Sequence, residues 1–243
     1  ITDKLLYKCY EVFYNLSNMM LVVNTAENPE TVLRVADKIL PIQEPKEIIR
    51  SYNSEKPEVN KKRVVAEFEV AKPLFYIGVK DIKISADPLE RAKKQATGDI
   101  LTELLFGASS AFGIEMYESG LANGFAASFD HDRNSSVVYI QGESDDPEKV
   151  YEKVVSHTEE AKKNGFDRAD FERIKRAEYA SYIKSFDSTE LAETFTYALH
   201  DGLDWLAYGD ILAGVTYDDV MALLPELFDE KYYAMSIVKP ISK

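Results

Sequence analysis

Three histidines, His131, His157 and His200, are the residues of this 243-residue chain that could begin a metal site. A helical zinc pair places histidines at i and i+4, so that both rings reach one ion from one helix face. No two histidines here have that spacing. His157 is followed by Glu159 and Glu160, and His200 by Asp201 and Asp204, each without a second histidine nearby. All three read as surface or helix-end histidines. Nucleophilic chemistry finds no better start, because no Gly-x-Ser-x-Gly elbow, P-loop or Gly-x-Gly-x-x-Gly fingerprint is present. Ser109-Ser110 lies in a small-residue run, Gly107 to Gly113, and reads as a turn. Cys9 falls on the apolar face of a helical pattern and reads as a buried structural thiol. The carboxylate pairs Asp145-Asp146 and Asp218-Asp219 stand at helix starts, where they stabilise the N-terminal turn without doing catalysis. The residues alone thus predict no catalytic group, no metal ligand and no cofactor in this chain.

The elements that would position these residues follow from periodicity. Leu5, Leu6, Cys9, Val12 and Phe13 recur at helical spacing. Met19 to Val23 is a short apolar run that suits a buried strand, and Asn28-Pro29 opens a further helix. One strand between two helices cannot satisfy its own edges, so its partners are expected upstream of residue 1. Residues 41–63, with Pro41, Pro45 and Pro57 among many charges, read as a linker. A second unit is expected over 64–243. Ala66, Phe68 and Val70 alternate with Glu67 and Glu69 as in a half-exposed strand, and Leu74 to Val79 is a second. Asp87-Pro88-Leu89-Glu90 signals a long helix with a capping box. Phe125 to Phe129 and Val137 to Ile140 read as a hairpin, and Asp146-Pro147, Asp167, Asp187 with Glu190, and Thr216 with Asp219 open further helices. Tyr232 to Val238 closes the chain as a strand. The expected class is α+β, an antiparallel sheet covered by helices.

Bulk properties narrow the partners. The formal charge is −13, from 42 acidic and 29 basic residues, which disfavours nucleic acid and suits basic peptides or simple solubility. A single cysteine rules out an internal disulfide. It is compatible with a reducing compartment, and a cytoplasmic location is the expectation. No apolar run approaches the roughly 20 residues of a membrane span, so no membrane is expected.

Several segments carry a resemblance. Leu6-Tyr7-Lys8-Cys9-Tyr10, then Phe13-Tyr14-Asn15-Leu16-Ser17-Asn18-Met19 and an apolar run, is similar to a junction in the insulinase-type (pitrilysin-type) metallopeptidases. Leu105-Phe106-Gly107 with Ser109-Ser110, Tyr117-Glu118-x-Gly120-Leu121, Gly142-Glu143-Ser144 with Asp146-Pro147, and Phe171-Glu172-Arg173-Ile174-Lys175-Arg176 continue the resemblance over almost the whole chain. The family usually has a proline between the tyrosine and the asparagine of the junction, where this chain has Leu16 and Ser17.

The resemblance implies a duplicated α/β-roll fold, with residues 1–40 as the tail of an upstream domain and 64–243 as the second, non-catalytic domain. The family's zinc rests on His-x-x-Glu-His and a distal Glu in the first domain. It therefore places zinc in a parent protein and none here. Many second domains add an Arg and a Tyr that hold the substrate; aligning Leu121 puts Met116 and Asn123 at those places. The form at Tyr117 to Leu121 is most similar to bacterial zinc-bearing members that act with a paired subunit. The implied role is half of a peptide-binding chamber. The implied partners are a peptide or small-protein substrate, an upstream catalytic domain, and a paired subunit or a second copy. The alternative is a non-catalytic scaffold or partner subunit of a peptidase-like complex. Ser109, Ser110, Phe112, Tyr117 and Asn123 are the expected substrate-facing residues; the same segment also reads as a helix end and turn packed on the sheet.

Overall fold

The structure is a computed structural model that describes residues 1–47, 49, 51 and 56–241. The parts of the expected 41–63 linker at 48, 50 and 52–55, and the last two residues of the second unit, lie outside the described residues.

The chain opens with helices α1 (Asp3–Phe13) and α2 (Pro29–Ile39), each with the cap its sequence signals. Thr2 accepts a bond from the Leu5 N–H, and Asn28 from the Glu30 N–H, ahead of Pro29 in the first turn. Neither helix buries a residue. The run from Met19 to Val23, expected as a buried strand, joins no ladder, and Met19, Met20, Leu21 and Val23 are exposed. A strand needs a neighbour to accept its backbone hydrogen bonds, and none of the described strands lies beside this run. Cys9 is likewise exposed rather than buried, because α1 buries no residue among the described residues.

Five strands form one sheet among the described residues: β1 (Arg63–Phe68), β2 (Leu74–Lys80), β3 (Asn123–His131), β4 (Ser136–Glu143) and β5 (Tyr233–Pro240). Their order is β1-β5-β2-β4-β3. All pairs are antiparallel except β1 with β5, which run parallel. The β1 strand was expected to alternate between buried and exposed positions, yet it is exposed along its whole length. It sits at the edge beyond β5, and Glu148 pairs with Arg63 at its start. The inner strands show period-2 burial: Phe75, Ile77 and Val79 on β2, Val138 and Ile140 on β4, and Tyr233, Met235 and Ile237 on β5.

Helices cover that inner face: α3 (Pro88–Phe106), α4 (Ala111–Glu118), α5 (Pro147–Asn164), α6 (Arg168–Ser185), α7 (Leu191–His200), α8 (Trp205–Gly214) and α9 (Tyr217–Leu227). The central one is α3, which buries Ile100, Leu101, Leu105 and Phe106. Each such side chain contributes roughly 1.5–3 kcal/mol by leaving water. Gly98 lets α3 press on β3, since a Cβ there would lie 2.1 Å from the Phe129 ring. Two expected capping boxes differ from the sequence reading. Asp87 caps α3 at Leu89 N, but Glu90 bonds Ser85 instead of closing the box. Glu190 occupies the cap position of α7 and makes no side-chain cap bond. The Thr216–Asp219 box on α9 forms in full.

Candidate functional site

The segment with the most distinctive sequence lies where α3 ends and α4 begins. The helix stops at Gly107, whose N–H still donates to Glu103 O. Small residues are needed in this turn: a Cβ on Gly113 would lie 2.3 Å from Gly107 O. Ser110 caps α4 by accepting from Gly113 N at 3.0 Å, and its hydroxyl donates to Leu105 O. Ser109 Oγ accepts from the Arg173 guanidinium at 3.0 Å. Phe112 is buried at 2% exposure, against Phe106, Phe125 and the His157 ring. His157 Nε2 lies 3.1 Å from Leu105 O, so that nitrogen carries the proton. Burial lowers the His157 pKa, with the Leu105 hydrogen bond opposing it.

Tyr117 and Asn123 have the opposite character. Tyr117 is 85% exposed at the end of α4. Gly120 and Gly124, both at positive φ, turn the chain from α4 into β3, and a register break separates Asn123 from Ala126. Tyr117, Asn123, Gly124, Phe125 and Ile114 line a groove of about 670 Å³. Ser109, Ser110 and Phe112 line a different one, of about 440 Å³, on the other side of α4 beside Glu115, Glu160, Asp170 and Arg173. The five residues expected to share one surface are thus divided by α4. Met116, which stands where the family pattern has arginine, is fully buried and faces neither solvent nor groove.

The groove at Tyr117 and Asn123 adjoins the free edge of the sheet, because β3 is its last strand. At the far end of β3 that edge is closed. The Gln95 side chain donates to Phe129 O at 2.7 Å and accepts from His131 N at 2.9 Å. Alternation along an antiparallel strand turns the next such backbone pair outward at Ala127. The edge left open runs from Ala127 back to the groove, and an extended peptide could add to it as a further strand.

Other groups lie where the sequence reading did not look. His131, expected on the surface, has a fully buried side chain, with Nδ1 2.7 Å from Ser136 Oγ. Asp99, on α3, is pushed up to about 8 by desolvation, opposed by its bond from Gln95 and reinforced by Glu178, Asp130 and Glu103. The i, i+4 spacing of Asp99 and Glu103 was the available signal. Among the described residues no group of three or more His, Cys, Asp or Glu is placed to hold a metal ion, so the residues present do not fit zinc.

Comparison with known proteins decides the family. Residues 1–178 match the peptidase M16 inactive domain. The chain belongs to that family. The uncharacterized zinc protease YmfH of Bacillus subtilis (strain 168) is 28% identical over 232 residues, covering 93% of this chain and 54% of its own length. The chain therefore spans about half the length of the curated relative it matches. An M16-like peptidase from Alicyclobacillus acidocaldarius superposes with TM-score 0.88 at 25% identity, over 99% of this chain and 59% of that one. A protease from Helicobacter pylori gives TM-score 0.84 at 21% identity over 99% and 60%, a likeness of fold. The M16 inactive domain agrees with the resemblance read from the sequence, as does the helix-covered sheet. The match begins at residue 1, so it includes the exposed α1–α2 segment. Among the described residues no helix is long and apolar enough to cross a membrane.

Proposed function

We propose that this chain is the non-catalytic part of a zinc-dependent peptidase and forms half of its peptide-binding chamber. The observation that carries this reading is the pairing of an M16 inactive domain with an apolar N-terminal segment that is exposed among the described residues. Leu6, Tyr7, Phe13, Leu21, Leu33 and Ile39 are all well exposed. So many exposed large apolar side chains within forty residues are what an interface segment carries. An upstream catalytic domain, to which residues 1–40 contribute the last helices, would cover it and would hold the zinc. The chamber wall on this side is the groove at Tyr117 and Asn123 with the open β3 edge, which suits an extended peptide better than a folded surface. The acidic charge of the chain favours basic substrates.

The test uses the complete protein with any upstream domain in place. Asn123→Ala, and Ala127→Pro at an outward-facing edge position, should each weaken binding of an unstructured peptide several-fold while bound zinc stays constant. Loss of zinc in the Asn123 variant, or unchanged peptide binding in both, would refute the chamber-wall assignment. If the upstream sequence lacks His-x-x-Glu-His, the scaffold role replaces the peptidase role.

A further inference from the structure

A third cavity, of about 560 Å³, lies between α3, α7, α8 and the β3–β4 turn. It follows the face of α3 that carries Arg91, Gln95 and Asp99, a span of about 12 Å at the helical rise. The Arg91 end is ion-paired internally. Arg91 and Arg133 both bond the Asp201 carboxylate, and Arg91 is further held by the carbonyls of Ser85 and Ala86. The Asp99 end is not. The charged groups around Asp99 are the acids Glu103, Asp130 and Glu178, and its bonding partner is the neutral Gln95.

Two residues that line the cavity each bury a nitrogen without a partner among the described residues: His131 Nε2 and Trp205 Nε1. The chemistry of the first follows from its neighbours. Ser136 has one hydroxyl proton and gives it to Asp81 Oδ2, at 2.6 Å. His131 Nδ1, 2.7 Å from the same Ser136 oxygen, must then be the donor. Nε2 is therefore a lone-pair acceptor. Burial, with Lys94 next, lowers the His131 pKa and keeps the ring neutral. Gln95 bonds both the His131 backbone N–H and the Asp99 carboxyl, which ties the two residues to one side chain. Across from them Trp205 and Tyr208 stack at 4.6 Å, a surface that attracts cations.

We propose that this cavity binds the ammonium group of an amino-acid residue, with Asp99 and His131 Nε2 as acceptors and the Trp205–Tyr208 pair as the aromatic wall. A carbonyl near that amine would satisfy Trp205 Nε1 as well. The shared chemistry has two sources, a free α-amine and a lysine side chain. The site lies along the Arg91–Asp99 stretch of α3, whereas the β3-edge groove meets the Phe106 end, and it does not rest on the chamber reading.

The chain reports on this site itself, because Trp205 is its one tryptophan. Titration with n-butylammonium should change Trp205 emission saturably. The isosteric neutral 1-butanol should bind at least about tenfold more weakly, the factor a single charge-assisted contact of about 1.4 kcal/mol supplies. Binding requires the ionised Asp99, whose fraction rises from about a tenth at pH 7 to about nine-tenths at pH 9, so affinity should rise about tenfold between them. Asp99→Asn mimics the protonated carboxyl, should fold normally, and should lose both the ammonium preference and the pH dependence. Alanine amide and Nα-acetyl-lysine amide then show whether an α-amine or a side-chain amine is preferred. Equal response to butanol and butylammonium overturns the proposal, and this wild-type comparison decides the matter even if the variant does not fold.

Discussion

The α1–α2 segment and the α3 region are built from the same local signals and reach opposite ends. Both carry a capped helix with proline in its first turn, Asn28-Pro29 in one and Asp87-Pro88 in the other. Both carry apolar residues at helical spacing. Yet α3 buries eleven residues, and α1 and α2 bury none. Caps and propensity are enough to write a helix, but stability comes from the face that meets a partner. In α3 that partner is the sheet; in the first segment the described residues contain none.

The largest test of this contrast replaces an aromatic in each region. Phe106→Ala should destabilise the folded chain by about 3–5 kcal/mol in denaturant unfolding, as loss of a buried, ring-packed side chain does. Phe13→Ala, at 59% exposure, should change stability by no more than about 0.5 kcal/mol. In the complete protein the Phe13 change should become costly if an upstream domain covers α1. Equal costs in this chain would break the contrast.

Gly113→Ala should come next, at about 1–3 kcal/mol, because its Cβ would collide with the Gly107 carbonyl. A smaller value would mean that the turn before α4 gives way easily, and the close packing that separates the two grooves would be in doubt.

Cap residues sharpen the contrast on a finer scale. Thr216→Ala removes a complete capping box from α9 and should cost about 1 kcal/mol. Thr2→Ala removes the α1 cap, but that helix buries no residue, so global unfolding should shift by a few tenths at most.

The pH dependence should come from the α3 region, and its sign can be worked out. Asp99 holds its proton more tightly folded than unfolded, up to about 8 against an ordinary carboxyl near 4. Its contribution is full below the unfolded value and is lost as pH rises from about 4 through 8. His131 runs the other way: its lowered pKa means stability is present above about 6.5 and falls as the pH drops below it. Thermal unfolding of Asp99→Asn should show a smaller loss of Tm between pH 6 and 9 than the wild type. An identical slope would remove Asp99 as the cause.

Much of this was legible from residue types and order. The helix starts at Asn28, Asp87, Asp146, Asp167 and Thr216, the hairpin of β3 and β4, and the closing strand depend on neighbours a few positions away, and the sequence displays those neighbours directly. The family resemblance was legible too, because its motifs are local strings in a set order. What only the tertiary structure decided was contact across distance. Met19 to Val23 has the composition of a strand, but a ladder needs another chain segment beside it. Ser110 and Phe112 look as available as Tyr117 and Asn123 until α4 folds between them, leaving the first pair to capping and core packing. His131 reads as a surface or helix-end histidine, and only the approach of Asp81, fifty residues earlier in the chain, to the nearby Ser136 fixes its proton. Local order is set by short-range sterics and hydrogen bonds; burial and electrostatics depend on which distant residues arrive, and periodicity within one segment carries no record of them.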